Sequence, residues 1–113
     1  MKRRFTQLDV FTAVALRGNP LAVVHDADGL DDERMAAFAR WTNLSETTFL
    51  LPPDDAANDF RVRIFTPAAE LPMAGHPTVG TAFVLARGGA VDVARPASEL
   101  RFEEGVGLVR VAV

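Results

Sequence analysis

Between Gly75 and Gly89 the chain reads Gly-His-Pro-Thr-Val-Gly-Thr-Ala-Phe-Val-Leu-Ala-Arg-Gly-Gly, and no other stretch restricts the fold as much. Pro77 suits the first turn of a helix, where a missing N–H costs nothing, and Gly88-Gly89 suits its end. Val79, Ala82, Phe83, Val84, Leu85 and Ala86 leave no polar stripe, so the helix is expected to be enclosed on all sides. An enclosed helix needs a sheet around it.

The rest of the chain supplies the strands. Residues 5–11 alternate, with Thr6, Leu8 and Val10 on one face and Phe5, Gln7, Asp9 and Phe11 on the other. Arg17-Gly18-Asn19-Pro20 is a turn signal, and Leu21 to Val24 is a short buried strand. Asp31 caps a helix whose Met35, Phe38, Ala39 and Thr42 fall at i, i+3, i+4 and i+7 and which stops near Asn43. Residues 45–51 set Thr47, Phe49 and Leu51 opposite Glu46, Thr48 and Leu50. Phe60 to Phe65 alternates Val62 and Ile64 with Arg61 and Arg63. Leu100 to Phe102 and Val106 to Val113, split by a turn at Gly105, complete the set. The expected class is α+β: a curved, mostly antiparallel, barrel-like β-sheet wrapped around a central buried helix.

Composition narrows the function. A chain of 113 residues, 49% hydrophobic and 24% charged, has the makings of one globular domain over 1–113. Twelve Lys and Arg against fifteen Asp and Glu leave no field for nucleic acid or an anionic membrane. Any anion must be held locally. Cysteine is absent, which excludes disulfides, thiolate zinc sites and thiol chemistry. Two distant histidines without an acidic cluster offer no metal site. No signal peptide or membrane span is read, so a cytoplasmic location is expected. The apolar ending Val109-Arg110-Val111-Ala112-Val113 reads as a cut chain, either the first half of a longer protein or a strand that pairs with another chain.

Gly75-His76-Pro77-Thr78 opens the helix, where unpaired amides and the helix dipole suit a carboxylate or phosphate and Gly75 admits close approach. The plainer alternative is that His76 and Thr78 cap the helix while Gly80 permits close packing. A histidine at a helix N-terminus is disfavoured as imidazolium, so His76 would orient rather than protonate. Glu46 is a lone carboxylate on an apolar and hydroxylic strand, usable as acid and base if partly buried. Its alternative is a solvated glutamate or a partner for Arg61 or Arg63. His25 is read as a surface histidine, Ser45 as a group that orients Glu46 or caps a turn, and Trp41 with the eight phenylalanines as core.

Three ordered motifs then converge. Phe11 with Gly18-Asn19-Pro20-Leu21-Ala22-Val23-Val24, Asn43-Leu44-Ser45-Glu46-Thr47-Thr48-Phe49, and Arg63-Ile64-Phe65-Thr66-Pro67 followed by Glu70-Leu71-Pro72-Met73-Ala74-Gly75-His76-Pro77-Thr78 resemble the phenazine-biosynthesis PhzF-like isomerase/epimerase family. That family is similar in fold to diaminopimelate epimerase, with two like domains and an active site in the cleft between them; this chain resembles the first half. The resemblance implies that Glu46 is the acid/base moving a proton on a small carboxylic acid, that Gly75 and His76 bind substrate, and that Asn19 shapes the cleft. It implies no cofactor, and it implies a complement, either a C-terminal domain or a second chain in a homo-oligomer. A self-associating domain that binds a small acid without turnover is the alternative from another class.

Overall fold

A computed structural model describes residues 2–87 and 99–112. Seven strands and two helices follow in the order β1 (Phe5–Val10), β2 (Asn19–Val24), α1 (Asp32–Thr42), β3 (Glu46–Leu51), β4 (Phe60–Phe65), β5 (Glu70–Leu71), α2 (Gly75–Arg87), β6 (Glu99–Glu104) and β7 (Gly107–Ala112). The strands form one sheet in the order β1-β2-β3-β4-β6-β7, with β5 on β4. The β2–β3 and β4–β6 pairings are parallel and the other four antiparallel. Among the described residues β1 and β7 do not pair with each other, so the sheet is not closed into a barrel there.

Strand alternation separates two cores. Val10, Leu21, Val23, Leu50, Val62, Ile64, Leu100 and Phe102 face α2 and pack on its Ala82 and Leu85. Val24, Phe49 and Phe65 face the other way and pack on Met35 and Ala39 of α1. Each large side chain withdrawn from water in this way contributes about 1.5–3 kcal/mol. Helix α1 begins where expected, with the Asp31 carboxylate accepting the Arg34 N–H at 2.8 Å, and ends at Asn43 in the left-handed conformation, φ 56°.

Helix α2 lies against β1, β2, β3 and β7, touching both edge strands, so the sheet curves about it. Gly80 makes the approach possible, because a Cβ there would stand 2.6 Å from Leu21 Cδ2 and 2.9 Å from Val10 Cγ2. The expectation of enclosure on all sides is corrected: Val79 and Phe83 are 45% and 55% exposed, and with Gly75 and Arg87 they form an i, i+4 stripe facing away from the sheet. Trp41 is corrected too. It is 80% exposed, and Phe5, Phe11 and Phe83 are exposed with it, so the aromatic residues are not all core. The two-residue strand β5 is an addition, and β2 starts at Asn19 rather than Leu21. The Gly88-Gly89 helix end and the last strand residue, Val113, lie outside the described residues.

Candidate active site

Glu46 opens β3 with its Cα paired to that of Leu21 on β2, and strand parity turns Glu46, Thr48 and Leu50 toward α2. A hydrogen bond of 2.9 Å between Thr48 Oγ1 and Thr81 Oγ1, both buried, ties this strand to the helix one and a half turns from its start. His76 is the second residue of that helix. Its Nε2 stands 2.6 Å from Glu46 Oε2, and the two side chains are only 16% and 14% exposed. The contact is close but not aligned as an N–H···O bond, and neither buried atom has another hydrogen-bond partner among the described residues. Both atoms therefore sit together with bonding capacity unspent, which is the condition of groups awaiting a ligand.

The space beside them is open. A Cβ on Gly75 would meet nothing within 4 Å, so the N–H groups of the first turn can be approached at close range. The plainer alternative holds only for Gly80, which permits packing: Thr78 Oγ1 donates back to Ala74 O at 2.8 Å instead of accepting from a first-turn N–H, and His76 turns to Glu46 instead of the helix end. Phe11, just past β1 with a left-handed φ of 61°, sets its ring edge-on to the His76 imidazole at 6.4 Å. Asn19 is exposed at the start of β2, two residues ahead of the partner of Glu46 and at the same end of the sheet.

Other expectations are corrected. Glu46 is not a partner of Arg61 or Arg63: Arg63 faces α1, with Nη1 donating to Asp32 and the rest of its guanidinium to Glu70, and these two carboxylates hold its charge firmly in place. His25 is half-buried, its Nε2 2.8 Å from Thr6 Oγ1, and burial first and Arg4 second push its imidazole below the ordinary value. Ser45 makes no side-chain hydrogen bond to Glu46 among the described residues. The group that sequence reasoning passed over is Glu104. Its carboxylate lies 3.0 and 3.2 Å from Thr78 Oγ1, two residues beyond His76, and burial raises its carboxyl above the ordinary value. The signal was present, since Leu100, Phe102 and Glu104 alternate onto one face.

Comparison with known proteins gives consistent matches. The family described as phenazine biosynthesis-like protein, PhzC-PhzF, matches residues 8–113. The chain is 51% identical over 111 residues to the uncharacterized isomerase mll1393 of Mesorhizobium japonicum, covering 98% of this chain and 36% of that protein. It is 52% identical over 82 residues to the trans-2,3-dihydro-3-hydroxyanthranilate isomerase of Pseudomonas aeruginosa, covering 73% of this chain and 29% of that protein. The crystal structure of a PhzF-family phenazine biosynthesis protein from Enterococcus faecalis superposes with a TM-score of 0.85 at 32% identity, over 100% of this chain and 41% of that one. The chain spans about a third of the length of the curated relatives it matches.

Proposed function

The chain belongs to the phenazine biosynthesis-like family, and from that premise we propose that it forms one wall of an isomerase active site that moves a proton on a small carboxylic acid without a cofactor. The observation that carries the reading is the 2.6 Å approach of His76 Nε2 to Glu46 Oε2 at the open start of α2. The substrate carboxylate docks on the first-turn N–H groups around Gly75 and His76. The Glu46 carboxylate takes a proton from an adjacent carbon, and the electron pair of the broken C–H bond spreads toward the docked group. The fixed dipoles of the helix stabilise that charge as it develops. Protonated Glu46 then returns the proton to a different carbon or to the other face, so substrate and product differ only in where one hydrogen sits. His76, beside the Glu46 carboxylate, offers its free Nε2 to the substrate, and Asn19 borders the cleft.

One wall does not exclude water. The remaining wall comes from the part of the relatives' length that this chain does not span, or from a second copy in a homo-oligomer, and the same complement extends the open sheet toward a barrel. A cytoplasmic location belongs to the same reading. The named relatives supply the test substrate, trans-2,3-dihydro-3-hydroxyanthranilate. With the full-length protein in deuterated water, deuterium should enter that substrate during turnover. Glu46→Gln should abolish both turnover and exchange while leaving the fold intact by circular dichroism. Exchange at the parent rate in Glu46→Gln would falsify the assignment.

A further inference from the structure

On the opposite face of the sheet lies a hollow of about 400 Å³ that the Glu46–His76 pair does not use. Parity keeps the two apart, because Phe49, on its floor, points to α1 whereas Glu46 points to α2. Phe38 of α1 is the hub of its wall, with ring centroids 6.0 Å from Phe5, 6.0 Å from Trp41 and 6.2 Å from Phe49. Trp41, at 80% exposure, leaves most of a large ring in water beside that wall. Exposed aromatic surface around a concavity marks a place where something binds.

The rim is cationic. Arg3, Arg4 and Arg34 line the hollow and, among the described residues, no acidic residue does, in a chain whose net charge is −3. Arg4 is neutralised by Asp26, which accepts from Nε and Nη2 at 2.7 Å each. Arg3 donates to the backbone carbonyls of Asp26 and Asp28, which carry no net charge. The Arg34 guanidinium has no hydrogen-bond or ion-pair partner among the described residues; only its backbone N–H is engaged, by Asp31. Two guanidinium charges are thus left without a counter-charge next to an aromatic wall.

We propose that this hollow binds an organic acid, one carboxylate carried on an apolar ring-bearing body. The ring packs among Phe5, Phe38 and Trp41, and Arg34 and Arg3 take the carboxylate through charge-assisted hydrogen bonds. A volume of about 400 Å³ falls within the range of small-molecule pockets. A recessed floor of buried Phe49 and Val24 fits a compact molecule better than a flat lipid surface, to which a net-acidic chain is not drawn.

Trp41 is the one tryptophan of these 113 residues, which have no tyrosine, so the emission lost in Trp41→Phe reports on the hollow. Titrating the full chain with 3-phenylpropanoate should give a saturable blue shift. Arg34→Gln, on an exposed helix surface, should weaken the apparent affinity by about tenfold, as should replacing the acid by neutral 3-phenylpropanamide. Glu46→Gln should titrate like the parent. Calorimetry on Trp41→Phe and circular dichroism on Arg34→Gln check binding and folding independently. A flat titration, equal affinity for acid and amide, or indifference to Arg34→Gln would each overturn the proposal. So would a shift with phosphatidylserine vesicles alone, which assigns the face to a membrane, or one that follows protein concentration, which assigns it to a second copy.

Discussion

Thr48 and Thr81 meet hydroxyl to hydroxyl at 2.9 Å in the interior, and this one bond joins the strand that carries Glu46 to the helix that carries His76. Both residues are fully buried, so removing one hydroxyl strands the other away from water. Thr48→Val or Thr81→Val alone should cost about 1–3 kcal/mol, while the double valine variant, with both polar groups gone and the shape kept, should recover most of that loss. Urea unfolding of the four proteins in a double-mutant cycle measures the coupling. Strictly additive losses would mean that the two hydroxyls do not depend on each other.

Shortening Glu46 tests placement rather than chemistry. Glu46→Asp keeps the carboxylate but withdraws it by one methylene from the His76 Nε2 that it now approaches to 2.6 Å. Displacement on the order of 1 Å costs about 10²-fold in a positioned reaction, so kcat of the full-length protein should fall by about that factor with stability little changed. Parent-like kcat in Glu46→Asp would remove the need for this geometry.

Much of this arrangement is legible in the sequence where a period is short. The two-residue alternation of 45–51 and 60–65 gives the correct faces for Glu46, Phe49, Val62 and Arg63, and Asp31 announces the start of α1. The approach of Glu46 to His76 is not legible from spacing, because thirty positions separate them and sheet order brings them together; the motif resemblance implies only that both belong to one cleft. Trp41 shows that hydrophobicity is not burial. It lies six residues after Met35, about 240° around the helix and off the stripe that packs on the sheet. Val79 and Phe83 mislead in the same way, since an apolar stripe does not say whether a neighbour covers it.

Glycines near the site divide by what a methyl group would meet. A Cβ on Gly18 would stand 2.3 Å from the backbone oxygen of Val10, an obstacle that cannot rotate away, whereas one on Gly75 would enter open space. Gly18→Ala should therefore destabilise the fold by about 2 kcal/mol or more, because the backbone leading to Asn19 must move. Gly75→Ala should change stability by no more than about 0.5 kcal/mol yet raise KM, because its methyl group stands where the ligand approaches the amides. Thermal melts and steady-state kinetics on the two full-length variants separate these outcomes; a Gly75→Ala enzyme with unchanged KM would place the substrate elsewhere.

Glu104 adds its own pH dependence to stability. Thr78 Oγ1 lies 2.8 Å from Ala74 O and 3.0 and 3.2 Å from the Glu104 oxygens, but a hydroxyl has one proton and cannot donate to both. Protonation of Glu104 resolves the conflict: its O–H donates to Thr78 Oγ1, and the Thr78 proton goes to Ala74 O. Burial pushes this carboxyl above its usual 4.5, with the Thr78 hydroxyl pulling partly the other way. The native chain therefore holds this proton more tightly than the unfolded chain does. The stability it contributes is fully present below the unfolded value and is lost as pH rises through the raised native one. Asp26, Asp32 and Glu103, held low by Arg4, Arg63 and Asn58 respectively, act in the opposite sense in more acidic solution, and His25, pushed below its ordinary 6.5 by burial and then Arg4, acts in the opposite sense below that value, so the difference between parent and Glu104 variant isolates this group. Glu104→Gln, whose amide can always donate to Thr78, should thus stabilise the fold by about 1 kcal/mol near neutral pH and flatten the stability profile on the alkaline side of the usual carboxyl value. Urea midpoints across that range decide the matter: a loss in Glu104→Gln that grows as pH rises would mean that the fold prefers the ionised carboxylate.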